Sequence, residues 1–298
     1  MEYFVLNDGY RIPATGYGVY RINGAECTSC VIDAIETGYR LIDTAQAYGN
    51  EGEVGEAIRE SSVPRSELFI TSKVRHAYYG GGLTRESVLR SLCTMGLDYL
   101  DLCLLHQPFG DVYSAWRELE ELKREGLVRS IGVSNFFPER IADIALYSAT
   151  VPAVNQIECH PYFQRGEDLS VCGELGVRVE AWAPFSAGRA DLHNDETLLS
   201  IGRSYGKSAA QVILRWQYQR GVVTIPKTSR KERMRENFSI FDFSLTDEEM
   251  SAVCALERGE TAFYLHNTAK VVKKGFGSYT ATRAAFVEEL AGKGAGGK

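Results

Sequence analysis

Four side chains stand out for what they could do together: Asp43, Tyr48, Lys73 and His106. A carboxylate, a phenol, an ammonium group and an imidazole are the parts of a proton-transfer site. Their spacing brings them together. Asp43 ends the apolar run Leu41-Ile-Asp43, Lys73 ends Leu68-Phe-Ile-Thr-Ser-Lys73, and His106 ends Leu100-Asp-Leu-Cys-Leu-Leu-His106. Steps of about thirty residues match one strand–helix unit. Three ionisable groups then fall at the same end of three successive parallel strands, with Tyr48 in the turn after the first. That end of an α/β sheet is where chemistry is usually found. Any one of the four alone reads more readily as a satisfied surface or capping group. The repeated phase is what argues for a site.

The elements that must hold these residues follow from periodicity and punctuation. Asn50 is placed to cap a helix, with Glu53 three residues on to complete a capping box, and Val54, Ala57 and Ile58 form its core side. Tyr3–Leu6 and Tyr10–Ile12 flank Asn7-Asp-Gly9 and predict a hairpin. A first strand over Ala14–Val19 and a first helix over Ala25–Thr37, stopped by Gly38, come next. Apolar strands then fall at 39–43, 67–72, 99–105, 128–133, 153–157, 177–182 and 222–225. Helices between them are expected at 50–59, 84–95, 112–124, 138–147, 167–175, 195–205 and 208–220, the last opened by Ser208/Gln211. Ser229/Glu232 and Thr246/Glu249 open two more. Eight strands with helical connections and no composition break predict one closed (β/α)8 barrel with an N-terminal hairpin and extra C-terminal helices. The pattern fades beyond about residue 270. Residues 1–275 therefore read as a single domain and 276–298, ending in a glycine-rich stretch, as a mobile tail.

Composition narrows the function. A net charge of −6 and no clustered basic stripe argue against nucleic acid as a partner. No apolar run reaches the roughly 20 residues of a membrane span, and Met-Glu-Tyr-Phe-Val lacks the features of a signal peptide. The expected address is cytoplasmic, and nothing demands more than a monomer. Seven scattered cysteines read as free thiols. Cys27-Thr-Ser-Cys30 has metal or redox spacing but no second pair, and Cys159-His160 has no further partners, so no metal is expected. Gly16-Tyr-Gly18-Val-Tyr-Arg21 breaks a GxGxxG fingerprint at its third glycine, which counts against a Rossmann fold.

A set of short motifs in order carries a resemblance. Gly16-Tyr-Gly18, Ile42-Asp-Thr-Ala45 with Tyr48, Thr71-Ser-Lys73 and His106-Gln-Pro108 come first. Gly132-Val-Ser-Asn-Phe136, Val154-Asn-Gln-Ile157, Ala181-Trp-Ala-Pro184, Ile225-Pro-Lys227 and Glu236-Asn237 follow. Over roughly residues 3–270 the chain resembles the aldo-keto reductases, (β/α)8 barrels that reduce carbonyls with NADPH. The likeness is to the small-aldehyde, 2,5-diketo-gluconate reductase-like and prostaglandin F synthase-like members.

The resemblance implies roles for the residues. Tyr48 would donate a proton to the carbonyl oxygen, although a free phenol with pKa near 10 is a reluctant acid. The Lys73 ammonium would favour the phenolate and strengthen that acid, Asp43 would hold Lys73, and His106 would orient the substrate. Ser134, Asn135 and Gln156 would bind the nicotinamide carboxamide, and Trp182 would stack on its ring. Backbone near Phe185 and Ser186 would meet the pyrophosphate, with Val19 and Asp43 also lining the cofactor site. Lys227, Thr228 and Arg233 would take the 2′-phosphate, helped by the helix opened by Ser229, and Glu236 and Asn237 would reach the adenine. Tyr20, Tyr48, Arg75, His106 and Gln107 would contact substrate. Tyr20 and Gln107 replace frequent tryptophans, Ala183 a frequent serine, and Arg75 a frequent aromatic residue, so the pocket is expected to be more polar than in the best-known members. Two rivals stand beside reduction of small aldehydes or ketones. One is a cofactor-binding regulatory subunit, and the other a hydrolase or aldolase using Lys73 as a Schiff-base nucleophile.

Overall fold

An antiparallel hairpin, β1 (Tyr3–Val5) and β2 (Arg11–Pro13), precedes the parallel sheet in the computed structural model, which describes residues 1–295. Eight parallel strands follow: β3 (Tyr17–Gly18), β4 (Leu41–Asp43), β5 (Phe69–Val74), β6 (Leu100–Leu105), β7 (Val128–Ser134), β8 (Val154–Glu158), β9 (Arg178–Trp182) and β10 (Val223–Thr224). They pair in sequence order. The ends of the sheet meet. Thr15 bridges Thr224, Gly16 N donates to the Thr224 carbonyl at 2.7 Å, and Gly18 N donates to the Pro226 carbonyl at 3.2 Å. The expected barrel is present and closed.

Side-chain alternation sorts each strand into an inner and an outer set. In β6, Leu102 and Leu104 pack inward with Leu41, Val154 and Val223, while Cys103 and Leu105 pack outward beneath the helices. Hairpin residues Leu6 and Ile12 plug the base of the inner cluster. Gly16 shows why the first motif needs glycine. A Cβ there would lie 2.4 Å from Leu41 Cγ, so the motif secures close strand approach.

The covering helices are α1 (Ala25–Thr37), α2 (Glu51–Glu60), α3 (Leu83–Met95), α4 (Val112–Arg124), α5 (Pro138–Tyr147), α6 (Gly166–Glu174), α7 (Glu196–Tyr205) and α8 (Ala209–Gln219). Two more, α9 (Lys231–Phe238) and α10 (Asp247–Cys254), follow the last strand. The capping boxes at Ser208/Gln211 and Thr246/Glu249 form as expected. Two other expected caps do not. Asn50 precedes α2, but its fully buried side chain turns inward to accept from Thr44 Oγ1 at 2.7 Å and to donate to the Val19 and Ile22 carbonyls at 3.0 and 2.8 Å. Ser229 does not cap α9, because Thr228 Oγ1 accepts the Arg230 N–H at 3.2 Å and α9 begins only at Lys231.

The largest correction concerns the tail. Residues expected to be mobile from 276 onwards belong to α11 (Ala269–Ala295), and 296–298 lie outside the described residues. Gly275, Gly277, Gly292 and Gly294 each cost about 1 kcal/mol of helix propensity, which is why local sequence argues against this helix. Tertiary anchors override propensity. Arg283 Nη1 donates to the Ala77 and Tyr79 carbonyls at 3.1 and 2.9 Å, and Nη2 to the Gly80 carbonyl at 3.3 Å. Phe286, 2% exposed, packs against Tyr78 at 4.4 Å between ring centroids and beneath the Arg90 guanidinium. Phe286→Ala should therefore release α11 selectively. Amide exchange should rise across 269–295 while the barrel strands keep wild-type protection, and unchanged exchange in α11 would show that the helix is held by other means.

Candidate active site

The barrel brings all four singled-out residues to its C-terminal mouth. Asp43 ends β4, Lys73 lies one residue inside the end of β5, and His106 directly follows β6. Tyr48 closes the short 3₁₀ turn Gln46–Tyr48. Lys73 Nζ donates to both Asp43 oxygens at 2.6 and 2.7 Å, to the Thr44 carbonyl at 2.9 Å, and to Tyr48 Oη at 3.4 Å. Gln156 Nε2 donates to Asp43 Oδ2 at 2.8 Å from across the barrel. The ion pair has almost no contact with solvent.

The electrostatics assign states to these groups. Burial is the largest influence on Lys73 and pushes its pKa down, but Asp43, with help from Tyr48 and Glu180, offsets it and holds the ammonium pKa above its usual range. A Schiff-base nucleophile needs a free amine, so this Lys73 does not suit hydrolase or aldolase chemistry. Burial is the largest influence on Tyr48 and raises its pKa, while Lys73 pulls in the opposite direction. Tyr48 is thus a protonated phenol whose acidity depends on Lys73. Burial also drives the His106 pKa well below the usual imidazole value, reinforced by Lys73, His266, His76 and Arg75. His106 is a neutral hydrogen-bonding group at pH 7. The Tyr48 and His106 rings meet edge to face, 5.8 Å between centroids.

The other expected residues divide into a packed set and an open set. Ser134 Oγ donates to the Gln156 carbonyl at 2.9 Å, and Asn135 Nδ2 donates to the His106 carbonyl at 3.0 Å and to Ser134 Oγ at 3.1 Å. Trp182 Nε1 donates to Asn135 Oδ1 at 3.0 Å, and Phe263 meets the indole edge to face at 5.0 Å. Ser134, Asn135, Gln156 and Trp182 thus form one contiguous wall beside the ion pair. Val19 is buried, and Tyr20, 51% exposed, lies 4.9 Å from the Tyr48 ring. Arg75 is half-buried; its backbone N–H donates to Gln46 Oε1 at 2.9 Å, and its guanidinium has no acidic partner among the described residues. Gln107 Oε1 bonds the His266 ring at 2.7 Å.

Beyond β9 the backbone is unusual. Ala183, Ser186 and Ala187 all have positive φ, at 48°, 52° and 49°, with Gly188 at 73°. Left-handed non-glycine residues cost energy, and their clustering at a strand end marks a loop kept for its backbone groups. Ser186 Oγ donates to the Phe185 and Ala190 carbonyls and accepts the Ala190 N–H, which fixes the loop from within. Past β10, Lys227 and Arg233 are exposed and lack an acidic partner among the described residues, whereas neighbouring Lys231 is held by Asp33 and Glu36 of α1. Thr228 lies between them. One Glu236 oxygen accepts from Ser208 Oγ, and Asn237 is buried.

Several participants escaped the sequence reading. Glu158 binds the His160 ring at 3.1 Å, the Ala262 N–H at 2.8 Å and the Thr261 hydroxyl, so it ties the C-terminal segment down over Trp182. Phe263 and His266 reach the mouth by this route. The sequence marks the segment near Thr261–Lys274 as a substrate-choosing loop but not these residues or their tie to Glu158, which spans about a hundred residues. Gln46 is signalled only weakly, by its place beside Tyr48.

Charge, geometry and barrel together define an oxidoreductase-type site, and known proteins agree. The aldo/keto reductase family model matches residues 14–258. The chain is 45% identical to a glyoxal reductase of Bacillus subtilis, over 86% of this chain and 92% of that protein. It is 42% identical to a morphine 6-dehydrogenase of Pseudomonas putida, over 85% and 90%. A Bombyx mori aldo-keto reductase solved in complex with NADP superposes with a TM-score of 0.84 at 32% identity, covering 89% of this chain and 95% of that one. The chain belongs to the aldo/keto reductase family, NADP(H)-dependent oxidoreductases of aldehydes and ketones.

The buried pair generates a stability prediction. Removing one partner of a buried ion pair costs about 3–5 kcal/mol, because the other charge is stranded. Lys73→Met should lose about that much in urea unfolding, and adding Asp43→Asn should recover part of it. Equal losses in the single and double variants would mean that the pair is not what the barrel depends on.

Proposed function

We propose that the chain reduces small, polar aldehydes or ketones to alcohols, with Tyr48 as proton donor. One observation carries this reading: the Lys73 ammonium touches Tyr48 Oη while Asp43 and the Thr44 carbonyl fix it in place. NADPH supplies the hydride when bound. As negative charge grows on the substrate oxygen, Tyr48 hands over its proton at close range, and Lys73 stabilises the phenolate left behind. His106, whose ring makes no hydrogen bond to another described residue, orients that oxygen. The wall of Ser134, Asn135, Gln156 and Trp182 suits a nicotinamide carboxamide, since it offers both donors and acceptors. Val19 and Asp43 line the same side, and the left-handed loop at Phe185 and Ser186 suits a pyrophosphate.

Substrate contacts fall to Tyr20, Arg75, His106 and Gln107 around the mouth. Arg75 offers a forked donor for a carboxylate on the substrate. We take the protein to act as a monomer in the cytoplasm; separately, no helix among the described residues is long and apolar enough to cross a membrane. Tyr48→Phe tests the mechanism: turnover with NADPH and a generic aldehyde should fall by about 10²–10⁴-fold while NADPH binding persists. Near-normal turnover in that variant would remove Tyr48 from the role.

Cofactor choice rests on Lys227, Thr228 and Arg233, with Glu236 and Asn237 towards the adenine. Arg233 and Lys227 are uncommitted cations beside the first free N–H groups of α9, which suits a 2′-phosphate. Hydrogen bonds to charged groups are worth about 1.5–3 kcal/mol, so Arg233→Ala should weaken NADPH about tenfold or more. NADH, lacking the phosphate, should bind that variant as it binds the wild type. A parallel loss for both cofactors in a titration would mean that Arg233 does not read the phosphate.

A further inference from the structure

Glu180 is a carboxyl that the reading above leaves unused. It lies in the middle of β9, in register with Gln156 of β8 and Val223 of β10. Strand alternation sends Val179 and Ala181 outward to the helices, while Trp182 packs with the inner cluster, so Glu180 points into the barrel. It is fully buried, and neither carboxyl oxygen has a hydrogen-bond partner among the described residues. The charged groups it feels are Asp43 from β4 and Lys73 from β5. The Gln156 amide gives one N–H to Asp43 at 2.8 Å and faces Glu180 with the rest of its group, drawing the Glu180 pKa down. Arg178, two residues earlier on the same strand, is drawn instead to the Gly221 carbonyl and the Phe4 ring.

We propose that Glu180 is a positioning residue for the proton donor, a second carboxyl behind the Asp43–Lys73 pair whose charge state governs how strongly Lys73 acidifies Tyr48. The inference rests on the proposed role of Tyr48. Two carboxylates cannot share one ammonium cheaply in a dry core. Burial first, and then the charge of Asp43, push the Glu180 pKa up to about 8, against the pull of Lys73 and of the Gln156 amide. Around neutral pH the group is therefore an uncharged acid, and Asp43 is the one carboxylate that draws on Lys73, beside the Thr44 carbonyl and Tyr48. When Glu180 ionises, the added negative charge competes for Lys73 and stabilises the Tyr48 proton. The phenol becomes a weaker acid and reduction slows as pH rises.

Glu180→Gln keeps the shape and cannot ionise. Turnover should fall about three- to tenfold more between pH 7 and pH 9 in the wild type than in this variant, since one pKa unit on the acid is tenfold in acid strength. Superimposable pH profiles in two active proteins would overturn the proposal and leave the role of Tyr48 standing. A second measurement needs no turnover. Carbon-13 NMR of labelled glutamate side chains should show one signal, absent from Glu180→Gln, that titrates near the raised pKa rather than in the ordinary carboxylate range. Titration of that signal in the ordinary range would overturn the proposal whatever the activity shows.

Discussion

Everything at the mouth depends on one charge kept dry. Lys73 carries an ammonium group in the barrel interior, and water contributes nothing to its solvation. Desolvating such an ion costs several kcal/mol even after relaxation, and attraction to Asp43 offsets this only if the remaining donors and acceptors are satisfied. They are: Lys73 has Asp43, the Thr44 carbonyl and Tyr48, and Asp43 has Gln156 as well. The loop geometry follows from that need. Thr44 offers its carbonyl because Asn50 binds its hydroxyl, and Asn50 also gathers the carbonyls of Val19 and Ile22 beneath the same turn. The Tyr48 turn is thus held from both sides before any ligand arrives.

The same tension between burial and charge separates the roles of the titratable groups. His106 is driven neutral, Tyr48 is kept protonated, and Lys73 stays charged, although all three are enclosed. Lys73 has the Asp43 carboxylate in contact, Tyr48 meets only the same ammonium at 3.4 Å, and His106 has no counter-charge among the described residues. Burial keeps the proton on Tyr48 in spite of that ammonium, and a histidine with a carboxylate beside it would charge more readily and compete as donor.

Much of this was legible in the sequence, for physical reasons that also explain the failures. Strand β6 is apolar at nearly every position because both its faces are covered, and the even spacing of Asp43, Lys73 and His106 registers the barrel repeat. Ser208 and Thr246 cap helices where their local patterns place them. Asn50 misleads because the same side chain can cap a helix or satisfy distant carbonyls, and only the tertiary fold decides. Glu158 and Glu180 are silent for a different reason. A glutamate in a strand reads as solvent-facing, and the barrel interior turns both into buried groups. The helix α11 was hidden by its glycines, since its anchors lie some two hundred residues earlier in the chain.

The clasp that holds α11 has a consequence for how such a protein can change over generations. Arg283 grips the carbonyls of Ala77, Tyr79 and Gly80, atoms that every residue possesses. The Arg283 contacts therefore do not depend on the side chains of Ala77 and Tyr79, whereas Tyr78 is tied to Phe286 by ring packing. The helix lies beyond the residues that the family model matches, 14–258. Changes within α11 can thus reshape this side of the entrance while the barrel's buried charges stay as they are.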